Sequence, residues 1–308
     1  MTWVAWRQQR TETILAAAIL AALAVVLVPT GLHIAAAYDH AHLARCIGRG
    51  GDAGCDAAVG AFFGRFDSVG HLIDWATLLP GLIGVVLAAP FVLQLERRTH
   101  WLDWTQSVTR GRWIAGKFGL AAAATLALAV ALTLLITWWR GPFVHLQGRL
   151  NNSIYDSEGT VVAAYALFGL GLGVAVGVVW RSAVPALIVA FGGYFGARLF
   201  VDTWLRQRLI SPLSATWNAQ GAHGPALDRA WVLSEYPVDA HGHPLNVVAP
   251  CVASAKACPG KPGAAQFMHA VYHPASHFWP LQIRETAMFG VAAIALLAFA
   301  AWWTHRNG

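Results

Sequence analysis

The chain is 308 residues long, 57% hydrophobic and 12% charged, with a formal net charge of +6. An average soluble domain carries about 25% charged residues, so this composition, with a mean hydropathy of +0.51, excludes a water-solvated globular protein. Lipid is the solvent it fits.

A bilayer core about 30 Å thick takes about 20 apolar residues per helix. Six runs meet that length, at 13–37, 75–95, 117–139, 161–180, 183–204 and 286–304. The expected fold is an all-α membrane protein of six transmembrane helices. A short helix is expected in the cytoplasmic loop 96–116, and the loops 38–74 and 205–285 are expected to be structured and extracytoplasmic; 140–160 is a further external connection.

Residues 1–12 place Trp3 and Trp6 beside Arg7 and Arg10, a mix that lies at a membrane surface before the chain turns inward. The apolar core that follows, 14–29, is longer than a signal h-region and lacks a small-x-small cleavage site leading to a soluble domain, so it is read as an anchor.

Short-loop cations set the orientation. Arg7, Arg10, Arg97, Arg98, Arg110, Arg112, Lys117, Arg181 and Arg306 share one side, which places both termini in the cytoplasm and the chain in the cytoplasmic membrane. The opposite loops carry as many Lys and Arg in total, but they are far longer and count for little. Cys46, Cys55, Cys251 and Cys258 all fall in the two long external loops, each pair closing a short loop. Two disulfides in an oxidising compartment are the favoured reading, ahead of free thiols or zinc ligands.

Asp67, His71 and Asp74 sit at the outer interface, next to a helix-compatible stretch around 55–66. Gly169, Gly173 and Gly177 in the fourth run, and Gly192 and Gly196 in the fifth, have the four-residue spacing that lets helix backbones approach, so both faces are expected to pack against other helices. No inverted repeat of the secondary-transporter kind is visible. Few charges lie deep in the runs, and Arg198 and Asp202, four apart, are expected to pair. The scarcity of buried acids argues against ion-coupled transport.

The loop from 96 to 117 reads ERRTHWLDWTQSVTRGRWIAGK. Trp101, Trp104 and Val108 fall at i, i+3 and i+7, so a helix here presents an apolar stripe, while Asp103, Gln106 and Arg110 point elsewhere. Flanked by Arg97, Arg98, Arg110 and Arg112, such a stripe suits either anionic lipid or a groove on a partner protein.

Over WTQSVTR at 104–110, with Arg112, Trp113 and Lys117, this loop resembles the intracellular loop of actinobacterial-type permeases of the type-2 family of ATP-binding-cassette exporters. WRQQR at 6–10 resembles their N-terminal signature. The sequence departs from that pattern near Arg98 and Asp103, where small residues are expected. The resemblance implies that the loop holds a coupling helix that docks on a separate ATPase subunit, with Glu96, Thr99, Trp104, Thr105, Gln106, Ser107, Thr109 and Arg110 forming the contact. It further implies that ATP and Mg are bound by that partner and no cofactor by this chain, and that a second permease copy, identical or related, completes the pathway.

Other motifs carry less. GRWIAGK at 111–117 nearly matches a P-loop, but Phe118 stands where Ser or Thr is needed and no buried strand precedes it. His269, His273 and His277 have i, i+4, i+8 spacing, with His241 and His243 nearby, yet Pro274 breaks a helix there and no acid or Cys joins them. Asp67, His71 and Asp74 lack an accompanying nucleophile elbow.

The expected function is therefore the permease subunit of an ATP-driven exporter of an amphipathic substrate, performing no covalent chemistry and binding no nucleic acid. The alternatives are a membrane-anchored sensor or assembly factor that uses the 205–285 loop, and, less favoured, an intramembrane enzyme.

Overall fold

Helices dominate because a chain in lipid must satisfy its backbone polar groups internally. The computed structural model describes residues 2–47, 52–97, 110–218, 227, 229–239, 241–245 and 267–307. Its long helices are α1 (Thr2–His40), α2 (Ala53–Asp74), α3 (Leu79–Glu96), α4 (Arg110–Gln147), α6 (Val161–Trp180), α7 (Ala183–Phe200) and α9 (Phe278–Asn307); single turns form α5 (Asn152–Tyr155) and α8 (Arg206–Leu209). Six stretches, overlapping α1, α3, α4, α6, α7 and α9, are long and apolar enough to cross a membrane. The chain is an all-α, multi-pass membrane protein.

Two of these helices outrun the expected spans. α1 has 39 residues and α4 has 38, close to 60 Å each at about 1.5 Å per residue. No turn separates residues 2–12 from the first span, so the helix runs unbroken from Thr2 to His40.

α6 is the central helix: 78% of its most apolar window is buried, against 17% for α1 and α9. Glycine makes this possible. A Cβ on Gly84 of α3 would lie 2.0 Å from the Ala166 carbonyl oxygen, and one on Gly169 of α6 would lie 2.6 Å from the Gly81 carbonyl oxygen. Gly173 and Gly177 face Ala88 and Val92 just as closely, so α3 and α6 meet backbone to backbone. Among the described residues, no atom lies within 4 Å of a Cβ built at Gly192 or Gly196, so nothing described in this chain covers that face of α7.

α1 packs on α4 where Trp139 Nε1 donates to Thr30 Oγ1 at 3.0 Å. A disulfide joins Cys46 to Cys55, and Asp52 Oδ1 accepts from Gly54 N at 2.9 Å, capping the start of α2. Cys251 and Cys258 lie outside the described residues.

Between α8 and α9 the chain forms a three-stranded antiparallel sheet, β1 (Leu213–Asn218), β2 (Trp231–Val238) and β3 (Phe267–His273), with β3 in the middle. His269 and His273 are therefore on a central strand and do not continue into a helical face with His277. His269 meets Thr216 Oγ1 at 2.8 Å, and His273 meets His277 through their Nδ1 atoms at 3.1 Å, under the Trp231 ring. The molecule thus has a loop end, where α3 stops at Glu96 and α4 starts at Arg110, and a sheet end, carrying the disulfide and the strands.

Candidate functional site

Two constellations lie at opposite ends of the bundle. At the loop end, residues 98–109 are outside the described residues, and with them Thr99, Trp104, Thr105, Gln106, Ser107 and Thr109. Their anchors are visible. α3 ends at Glu96 and α4 begins at Arg110. Lys117 Nζ donates to Gln94 Oε1 and lies 4.3 Å over the Trp113 ring, while Phe91 packs on both Trp113 and Phe118. The two roots of the loop are thereby clamped together. Residues 111–117 are helical, so the near-match to a P-loop lacks the loop conformation that cradles phosphate.

Glu96 reaches a third helix. Its Oε2 accepts from Ala183 N at 2.9 Å, satisfying an otherwise orphan donor in the first turn of α7, where the helix dipole also favours a carboxylate. Movement of the loop root is thus tied directly to α7.

At the sheet end, α7 runs into a π turn at Val201–Leu205 before α8. The wider turn redirects the chain so that Arg206, only 1% exposed, points into the bundle. Arg206 Nε donates to Glu285 Oε2 at 3.0 Å, its Nη2 to Asp156 Oδ1 at 2.5 Å and its Nη1 to Asp202 Oδ1 at 2.6 Å. Arg198 Nη2 pairs with Asp156 Oδ2 at 2.8 Å, and its guanidinium lies 3.7 Å over the Tyr165 ring. Tyr165 donates its hydroxyl proton to Glu285 Oε1. Beside them, Gln282 Nε2 donates to the Tyr155 and Glu158 carbonyls, and its Oε1 accepts from Val161 N.

Burial alone pushes the Asp156 carboxyl up, but Arg206 and Arg198 outweigh it and hold this group below its usual range. Glu158 follows burial and rises despite Arg149 and Arg140. The cluster ties the 151–158 segment, α6, α7 and α9 together at one end. Two guanidiniums meet three carboxylates there, each carboxylate paired with at least one of them, which keeps buried charge tolerable in a low-dielectric site.

Two expectations are corrected here. Asp202 pairs with Arg206 rather than with Arg198, because the π turn brings Arg206 under it while Arg198 faces Asp156 and Glu285. Buried acids are also present, Glu285 being 0% exposed; in the sequence, Asp156 and Glu285 flank the apolar runs and so read as peripheral. The visible clue was Arg198, Asp202 and Arg206 at i, i+4 and i+8, one face of one helix.

Asp67 lies beside a cavity at the sheet end; the side chains of His71 and Asp74 are outside the described part. No group of three or more metal-ligating side chains occurs among the described residues.

Six apolar stretches around a central glycine-packed helix define a multi-pass membrane protein. The chain belongs to the ABC-2 membrane transporter related family, whose model matches residues 17–206, from within α1 to the first residue of α8. It is a permease-type membrane subunit, and the family implies an ATPase as its partner. No curated protein and no solved structure matches the chain.

Proposed function

We propose that the chain is an exporter permease of the actinobacterial type in the cytoplasmic membrane, with both termini and the 98–109 loop in the cytoplasm. A separate ATPase docks on that loop through Glu96, Thr99, Trp104, Thr105, Gln106, Ser107, Thr109 and Arg110 and binds the ATP and Mg. Two permease copies form the pathway for an amphipathic substrate.

The observation that carries this reading is the connection at the loop root. Glu96 joins the loop to α7, and α7 joins the charge cluster at the other end. Docking and ATP closure of the ATPase pair would pull the loop and, through Glu96, tilt α7, switching the bundle between two packed arrangements. The disulfide favours an oxidising compartment at the sheet end, which fits a cytoplasmic loop end. The uncovered Gly192 and Gly196 face of α7 offers a second copy a close approach.

The test is purification of the tagged chain in mild detergent beside the Trp104→Ala/Arg110→Ala variant, with mass spectrometry and an ATP-hydrolysis assay on each eluate. The wild type is expected to bring down an ATPase that the double variant loses. A well-folded wild type without one would favour the sensor reading.

A further inference from the structure

At the sheet end, a cavity of about 220 Å³ opens between α2, the far end of α4 and residues 151–154. It shares no residue with the charge cluster or the loop roots. Four aromatic rings, Phe63, Phe66, Trp139 and Phe143, supply its apolar wall. Phe143 lies 5.5 Å from Phe62 and from Trp139, and 5.9 Å from Phe63, between ring centroids, so the wall is packed in place.

The polar side of the cavity carries both signs. Arg140 is 4% exposed, and its Nη1 donates to Ser153 Oγ at 3.0 Å, which in turn donates to Asn151 Oδ1 at 3.2 Å. With the Asn151 oxygen engaged in this way, its amide N–H groups remain as donors, and Gln147 adds another amide. A buried guanidinium among amide donors recognises a phosphate or carboxylate. Asp67, which is exposed, lines the same cavity and presents a carboxylate to a cation, and the aromatic faces attract a cation as well. Arg140 and Asp67 each also have a further contact within the chain, so a ligand would share them.

An anion alone would meet Asp67, and a cation alone would meet Arg140. A group bearing both charges a few bonds apart satisfies the two together. The volume is below the roughly 300–1,000 Å³ of sites for drug-sized ligands, which suits a head group rather than a whole amphiphile. Trp139 and Arg140 close the apolar run of α4, at the level where a membrane helix meets lipid head groups.

We propose that this cavity binds a zwitterionic phosphoethanolamine group, with its phosphate on Arg140 and the amides and its ammonium against Asp67 and the aromatic wall. The group is carried by a phospholipid of the surrounding leaflet, and free phosphoethanolamine presents the same chemistry. The site does not depend on ATPase docking.

The test uses the full chain in nonionic detergent with three probes: dihexanoyl phosphatidylethanolamine, dihexanoyl phosphatidylglycerol and free phosphoethanolamine. Binding is followed by microscale thermophoresis. Phosphatidylethanolamine should bind saturably and about tenfold tighter than phosphatidylglycerol, which lacks the ammonium, since a charge-assisted contact is worth that ratio or more. Arg140→Gln should weaken it by about tenfold or more on the same grounds. Asp67→Asn should shift the preference toward phosphatidylglycerol.

Gln147 is exposed, so Gln147→Glu leaves the fold intact and should still weaken phosphate binding, which keeps the test decisive if Arg140→Gln fails to fold. Competition by phosphoethanolamine at matching concentration would assign the head group alone as sufficient; binding of the lipid only would assign its chains a share. Equal binding of both lipids, no saturable binding, or indifference to Gln147→Glu and Asp67→Asn would overturn the proposal.

Discussion

Replacing Arg206 with Met tests whether the charge cluster locks the sheet end of the bundle. Arg206 is 1% exposed and contacts Glu285, Asp156 and Asp202. Met keeps much of the length and apolar stem but removes every one of those donors. Asp156 retains Arg198, at 2.8 Å, while Glu285 keeps only the Tyr165 hydroxyl and a longer approach to Arg198 at 3.7 Å. Breaking a buried ion pair from one side costs about 3–5 kcal/mol, which for a domain of this size corresponds to a fall of roughly 10 °C in the melting midpoint. The assay is the fraction of monodisperse protein surviving heating in detergent, read by size-exclusion chromatography. Arg208→Met is the control, because Arg208 is exposed and donates to the Trp204 carbonyl; it should move the midpoint by less than about 2 °C, as surface changes do. Adding Glu285→Gln to Arg206→Met should recover part of the loss, since it removes a stranded charge. An Arg206→Met midpoint within about 2 °C of wild type would refute the account, because one intact buried network cannot lose its central cation so cheaply.

Three further outcomes follow from the packing and the chemistry. Gly84→Leu should destabilise by about 1–3 kcal/mol or more, because its side chain must enter the Ala166 carbonyl, whereas Gly192→Ala should leave the thermal midpoint of the chain unchanged. Cys46→Ser/Cys55→Ser should cost roughly 2–3 kcal/mol, as expected for a disulfide with a sequence separation of 9, and maleimide labelling of the wild-type pair should require prior reduction. Burial, with His277 adding to it, holds His273 below its ordinary value of 6.5 against the opposing pull of the Gln207 carbonyl. The unfolded state therefore takes up a proton first: the contribution to stability is complete above pH 6.5 and declines as pH falls below it. The protection factor of the β3 amides, which is the exchange rate corrected for its intrinsic pH dependence, should fall from about pH 7.5 to about 5.5 and become flatter in His273→Gln; a pH-independent protection factor in the wild type would contradict this.

Much of the architecture is legible because a bilayer sets helix length and leaves few alternatives. The six runs are recoverable from apolar length alone, although α1 and α4 extend well past the hydrocarbon limits that the composition marks. Glycine spacing announces close approach but does not name the neighbour: Gly169, Gly173 and Gly177 meet α3, whereas the same spacing at Gly192 and Gly196 meets nothing among the described residues. The sheet was hidden by separation, since β2 and β3 are far apart in sequence and β2 carries Pro237, tolerated because it is an edge strand. His269 and His273 sit four apart, which reads equally well as one face of a strand or of a helix. The charge cluster joins residues as distant as Asp156 and Glu285, and only the register of Arg198, Asp202 and Arg206 betrays it locally. Glu96 belongs by resemblance to a docking surface, yet its carboxylate is occupied at the start of α7, a contact that no local pattern specifies.

The central claim, that an ATPase sits on the 98–109 loop, is tested most directly by placing a photo-crosslinking amino acid at position 104 in the full chain and, separately, at position 213 on β1. Irradiation in intact cells, followed by mass spectrometry of the adducts, should yield an ATPase attached at 104 and none at 213. An ATPase adduct at 213, or a well-expressed chain that gives none at 104, would contradict the account.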